Sequence, residues 1–414
     1  MEKLLNWVDE RFPLTASYKA HLSEYYAPKN FNFWYFFGSL ALLVLAIQIV
    51  SGIFLTMHYK PDAAMAFASV EYIMRDVDYG WLIRYIHSTG ASMFFVVVYL
   101  HMFRGLIYGS YRQPRELIWI FGVIIYLVLM GEAFMGYLLP WGQMSYWGAQ
   151  VIINLFAAIP FVGEDLSIWI RGDYVVGDAT LNRFFALHVI ALPLVLLLLV
   201  VLHLGALHEV GSNNPDGVEI KKGPKGNRWS PTAPADGIPF HPYYTVKDTF
   251  YVGFFLIVAA FIIFFAPAFG GWFLEHDNFT EANPLVTPEH IKPVWYYTPY
   301  YAMLRVVPSF FGIKLWGVLV MFGAIAVLFL VPWLDKSKVK SYRYRGVLSW
   351  AMLLMFAVSF LWLGKIGAGP GTDPTETIIG RVLTFLYFAF FITMPVWTKL
   401  DKTKPVPERV TMHD

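Results

Sequence analysis

Two stretches decide the fold: HSTGASMFFVVVYLH, residues 87–101, and HVIALPLVLLLLVVLH, residues 188–203. Each is an apolar run bounded by histidines, with no charged side chain between them. Imidazole is costly to place in lipid, and an ionisable group at membrane depth marks a functional position. The spacing nearly repeats, 14 residues from His87 to His101 and 15 from His188 to His203.

The surroundings of these runs are equally apolar. The chain is 57% hydrophobic, 18% aromatic and 14% charged, where a soluble domain carries roughly 25% charged residues. Eight stretches are long and apolar enough to cross a hydrocarbon core of about 30 Å: 32–58, 82–109, 115–138, 180–207, 244–267, 313–334, 346–364 and 377–398. The expected class is therefore an all-α integral membrane protein. Cysteine is absent, which excludes disulfides, thiolate catalysis, cysteine-held metal centres and a haem attached through C-x-x-C-H. The first 30 residues lack the apolar core of a signal peptide, so membrane entry falls to the first span. A net charge of +2 gives no basic footprint for nucleic acid.

Eight spans put both termini on one side. The 1–31 arm, the 104–115 turn, the 209–243 loop, the 335–345 loop and the 399–414 tail hold 20 of the 31 lysines and arginines. The positive-inside bias makes that side cytoplasmic. The long, Pro-, Gly- and aromatic-rich connections 139–179 and 268–312 then lie outside, where they read as amphipathic lids at the interface. The chain divides into the arm 1–31, a four-helix unit 32–208, the loop 209–243, a C-terminal four-helix part 244–398 and the tail.

Spans two and four both run from the outer face inward, so His87 and His188 share the outer level and His101 and His203 the inner one. At about 1.5 Å per residue the levels are about 21 Å apart, and 14 steps of about 100° return to within about 40° of the same face. Each level offers two facing imidazoles, the donor set for bis-histidine ligation of haem. Gly38 and Gly52 in span one, and Gly122 and Gly136 in span three, repeat the spacing of 14. A flat macrocycle edge approaches a helix closely where the side chain is missing. Arg84, Arg104 and Arg183 stand near three of the ligands and suit propionates. The fifteenth residue between His188 and His203 turns His203 by about 100°. Pro193 lies between them, and a kink or π-bulge there is expected to restore the alignment.

GWLIRYIHSTGASMFF (80–95), FMGYLLPWGQMSYWGAQVI (134–152), HEVGSNNPDGVEI (208–220) and HIKPVWY (290–296), taken in this order, closely resemble the cytochrome b family of ubiquinol–cytochrome c reductase, respiratory complex III. The likeness runs from Asn30 to the last span and is closest to the undivided respiratory version, here of bacterial type. It implies a low-potential haem b on His87 and His188 and a high-potential haem b on His101 and His203. It further implies oxidation of ubiquinol at the outer side and reduction of quinone at the inner side, the Q cycle that translocates protons. The implied partners are a Rieske-type iron–sulfur protein, a membrane-anchored c-type cytochrome, quinone, surrounding lipid and a second copy of the complex. The implied location is the bacterial inner membrane, and the isolated chain should be inactive.

For the outer quinol site the resemblance points to Phe134, Tyr137, Gly142 and Gly148, then Pro293, Val294, Trp295, Tyr296 and Tyr301. The chain departs from the family pattern at Val294, where a glutamate usually stands between proline and tryptophan. Valine accepts no proton, so quinol oxidation needs another acceptor. The candidates are Tyr137, Glu275, His276, Glu289 and His290, with His276 and Glu275 slightly ahead. At the inner site the match points to His208, Ser212 and Asp248. Two other readings compete: a haem b anchor of a quinone-linked dehydrogenase, and a proton-coupled transporter. The concentration of histidines in two spans speaks against the transporter, and the 268–312 loop and four further spans against the anchor.

Overall fold

The structure, a computed structural model, describes residues 2–220, 234–309 and 315–412. Residues 221–233 of the 209–243 loop, 310–314 at the entry to the sixth span, and 413–414 of the tail lie outside the described residues. Among the described residues eight helices are long and apolar enough to span a bilayer: Phe33–Thr56, Gly80–Tyr108, Glu116–Leu138, Asp178–Val210, Phe240–Phe265, Leu315–Leu334, Val347–Ala368 and Pro374–Ile392. These match the eight expected stretches within several residues. The last is shorter than expected, because the chain breaks at Thr393 before the short helix Met394–Leu400.

Spans one and two pack as one pair, three and four as another, and span five lies against the first pair. Inside, a chain of tyrosine hydroxyls is hydrogen-bonded. Tyr126 donates to Tyr300 (3.0 Å) and lies 3.0 Å from the hydroxyl of Tyr99, which itself donates to the carbonyl of Tyr296 (2.6 Å). Such satisfaction is required where no water is at hand. Span two ends because Gly109 adopts φ +62°, a conformation that accommodates glycine without strain.

Span four is not one regular helix. An α-helical turn set, Asp178–Ala186, passes into a π turn, Leu187–Ala191, before the α-helix Leu192–Val210 resumes. His188 sits inside the π turn. Pro193 has no N–H to offer, and the N–H of Leu192 bonds back to Leu187 instead. The extra residue is absorbed here, as the 15-residue spacing requires.

At one end the termini and loops are tied together. Tyr26–Pro28 pairs antiparallel with Gly237–Pro239. Asp236 bonds Lys29 (3.1 Å) and Arg409 (2.9 Å), and Asp216 accepts from Asn30, Arg343, Tyr344 and Thr411. The arm, the 209–243 loop, the 335–345 loop and the tail therefore meet on one face. At the opposite end the two long connections grip each other. Gly142 bridges Glu281, Gln143 N–H donates to Thr280, and Ala282 N–H donates to Trp141. Helices Gln143–Phe156 and Gly163–Arg171 pack on one another, and Gln143–Phe156 also packs against His276–Phe279, so the two connections form one layer.

Candidate functional site

Spans two and four present their histidines to each other at two depths. The His87 and His188 ring centroids are 6.2 Å apart, and those of His101 and His203 are 6.4 Å apart. Two imidazoles sharing one metal atom through bonds of about 2 Å have centroids roughly 6 Å apart. The Nδ1 atoms are engaged on the helix side: His87 with Ser51 Oγ (3.0 Å), His188 with the carbonyl of Glu132 (2.9 Å), and His101 with Arg104 Nη2 (3.4 Å). At His87 and His188 an acceptor on Nδ1–H leaves Nε2 available to a metal, whereas Arg104 is a donor and sets no such tautomer at His101.

The four glycines match the four histidines one to one. A Cβ on Gly38 would stand 3.2 Å from His101, on Gly52 3.2 Å from His87, and on Gly122 3.5 Å from His203. On Gly136 it would come within 2.8 Å of His188 Nδ1. The space each glycine leaves is filled by an imidazole, where the sequence reading had a macrocycle edge there. The arginines differ. Arg104 stacks on Tyr35 (4.8 Å), and its buried Nε bonds nothing among the described residues. Arg183 donates to the carbonyl of Trp169, and Arg84 lies one turn before His87.

Between the third span, the outer helices and the Thr298–Val306 helix lies a cavity of about 820 Å³. Phe134, Gly148, Pro293 and Tyr301 line it, together with Arg183 and Tyr297. A Cβ on Gly148 would meet nothing within 4 Å, so the residue keeps the chamber open. Beyond Pro293 a second cavity of about 240 Å³ is lined by Tyr137, Glu275, His276, Lys292, Val294 and Trp295. Glu275 pairs with Lys292 at 3.2 Å. Tyr137 accepts from Asn278 (2.7 Å), whose Oδ1 accepts from Ser145 N–H.

Two expected members stand elsewhere. Tyr296 lines neither cavity; its ring stacks on Phe95 with centroids 3.8 Å apart. Gly142 serves the junction of the two outer loops. Glu289 and His290 face solvent, with Glu289 91% exposed, and pair loosely at 3.8 Å.

At the inner end His208 Nδ1 lies 2.9 Å from the Leu204 carbonyl, and its ring packs against Tyr25 (4.6 Å) and His21 (5.4 Å). Asp248 accepts from Ser39 (2.7 Å), and Ser212 gives its carbonyl to Arg115. His21 and Tyr25 went unnoticed in the sequence, because the arm had no apolar pattern to fix it beside span four. Glu132 was missed as well. It is a lone carboxyl within span three, one turn before Gly136, and that isolation was the available signal.

Eight spans carrying two facing imidazole pairs at two depths define a helical integral membrane protein. Residues 22–211 match the family model "Cytochrome b/b6/petB", and residues 281–388 match "Cytochrome b(C-terminal)/b6/petD". A cytochrome b from Allochromatium vinosum is 66% identical over 408 residues, covering 98% of each chain. A "Cytochrome b/c1" from Bradyrhizobium diazoefficiens is 48% identical over 98% of this chain and 56% of its own length. A solved chain described as "Hyperthermophilic respiratory Complex III" superposes with a TM-score of 0.86 at 41% identity, covering 96% of this chain and 99% of that one. The chain belongs to the cytochrome b/b6 family and is a bacterial cytochrome b subunit. It is thus an electron-transferring subunit of the quinol-oxidising kind. The residues present fit a haem: facing imidazoles, glycines that spare their rings, and a buried guanidinium nitrogen without a partner among the described residues.

Proposed function

We propose that the chain oxidises ubiquinol in the outer cavity and reduces quinone beside His208, with one b haem on His87 and His188 and another on His101 and His203. The observation that carries this reading is the pair of facing imidazoles repeated at two depths. When bound, the low-potential outer and high-potential inner haems supply one-electron carriers between the two quinone sites. Each quinol yields two electrons, so the other leaves to a Rieske-type iron–sulfur protein and then to a membrane-anchored c-type cytochrome. The fused b/c1 relative and the complex III neighbour support these partners.

The chain's own residues bind, orient and move protons. Phe134, Gly148, Pro293 and Tyr301 hold the quinol head in an apolar chamber that excludes water. Val294 and Pro293 form the wall towards the second cavity, where Tyr137, Glu275 and His276 stand. Glu275, held beside Lys292, takes the proton that Val294 cannot, and His276 passes it outward. Glu289 and His290 lie too far into solvent for that role. Trp295 is fixed by its N–H donating to Ser92 at 3.2 Å. At the inner end His208 and Asp248 donate the two protons, Ser212 adds a hydrogen bond, and His21 and Tyr25 wall the ring of His208. Arg84, Arg104 and Arg183 take propionates.

In this account the chain lies in the bacterial inner membrane with both termini cytoplasmic, acts in a homodimeric complex, and is silent alone. Haem extraction from the purified complex tests it. Two non-covalent b haems per chain are expected, and one or none overturns the reading.

A further inference from the structure

The described span interiors contain a carboxyl group that neither quinone site uses. Glu132 lies in the outer half of span three, within Glu116–Leu138, and is mostly buried. Its Oε1 is 3.0 Å from Nδ1 of His188, and its own backbone carbonyl is 2.9 Å from the same nitrogen. Its Oε2 is buried and bonds nothing among the described residues. A carboxyl in lipid is expensive and rarely present without a task. Among the described residues the carboxyl's polar contact is with the imidazole of His188.

The two levels differ in what their imidazoles touch. At the outer level the carboxyl of Glu132 meets His188 and a hydroxyl, Ser51, meets His87. At the inner level a guanidinium, Arg104, meets His101 at 3.4 Å. An acceptor on Nδ1–H fixes the tautomer and makes Nε2 a stronger electron donor, which favours the oxidised metal. A cation beside the ligand acts the opposite way.

We propose that Glu132 is a positioning residue for His188, accepting its Nδ1–H and thereby holding the outer centre at lower potential than the inner one. The asymmetry makes electron movement from the outer level to the inner level downhill. This inference rests on the assignment of His188 as a haem ligand.

Potentiometric titration of the intact complex, read in the visible spectrum and by electron paramagnetic resonance, tests it. Glu132→Leu removes the carboxylate, leaves the backbone carbonyl as the remaining acceptor of His188 Nδ1–H, and orphans no other side chain. The outer centre should become easier to reduce by a factor of about five, roughly 40 mV for a one-electron couple. Its resonance signal should shift, and the inner midpoint should stay put. Glu132→Gln keeps a weaker acceptor and should fall between the leucine variant and the unaltered protein. Should the leucine variant fail to assemble, the glutamine variant carries the test alone. Two haems with an unchanged outer midpoint, or equal shifts in both centres, overturn the inference while leaving the haem assignment standing. Failure to find two haems removes the assignment itself.

Discussion

Gly136 and His188 are interlocked: a methyl group on the glycine would come within 2.8 Å of the imidazole Nδ1, closer than non-bonded atoms tolerate. The same relation holds with graded tightness at the other three pairs, at 3.2 Å for Gly38 and Gly52 and 3.5 Å for Gly122. His188 is also held by Glu132, so displacing it breaks those contacts.

Alanine substitutions should therefore rank. Gly136→Ala displaces His188 and should cost about 1–3 kcal/mol as overpacking, with loss of the outer haem signal. Gly38→Ala and Gly52→Ala should be milder, and Gly122→Ala close to silent. Reduced-minus-oxidised spectra of the four variants check the order. Equal effects at Gly122 and Gly136 would contradict it.

The proton path runs through Glu275 in this account. Glu275→Gln should slow quinol oxidation by about 10²-fold, the lower range for loss of a general base. Glu289→Gln should change little, since that side chain faces solvent. Steady-state quinol–cytochrome c turnover between mildly acidic and alkaline pH provides the comparison.

Asp335 and Arg345 form a pair with both side chains fully buried, at 2.5 Å. Burial opposes the Asp335 charge, but the guanidinium groups of Arg345 and Arg112 outweigh it and hold its pKa below the usual range. Removing one partner, as in Asp335→Asn, should cost about 3–5 kcal/mol by stranding the other charge. The double replacement by apolar residues should recover much of that. Thermal unfolding of the detergent-solubilised protein measures both.

Asp236 joins the N-terminal arm to the tail. Hydrogen bonds from Arg409 lead the effects that lower its pKa to about 2. A depressed carboxyl pKa contributes stability above the unfolded value of about 3.9, and that stability fades as pH falls towards 2. Arg409 is exposed, so solvent screening keeps the gain small. Asp236→Asn should speed proteolysis of the tail at neutral pH, with the difference from the unaltered protein vanishing near pH 2 in hydrogen exchange.

The parts of this molecule that were legible in the sequence are those where lipid forbids alternatives. His87, His101, His188 and His203 stand out because little else ionisable survives at that depth. The π turn at Leu187–Ala191 follows from Pro193 and one surplus residue. The placement of Tyr296 outside both cavities was not legible, because adjacency in HIKPVWY says nothing about which way a ring turns in the irregular segment Trp295–Tyr297. The pairing of Tyr26–Pro28 with Gly237–Pro239 was invisible, since three-residue strands at 210 positions' remove carry no periodicity. Glu132 was overlooked for a different reason. Its meaning lies in a contact with another helix, which no local pattern announces.

The central claim is that each histidine pair holds its own haem. A reductive titration of the visible spectrum, run on the unaltered complex and on His203→Leu, tests this most directly. Two b-type centres at separate midpoints should appear, with the higher one lost in the variant and the lower retained. A single centre, or loss of both centres together in an otherwise assembled variant, would contradict the pairing.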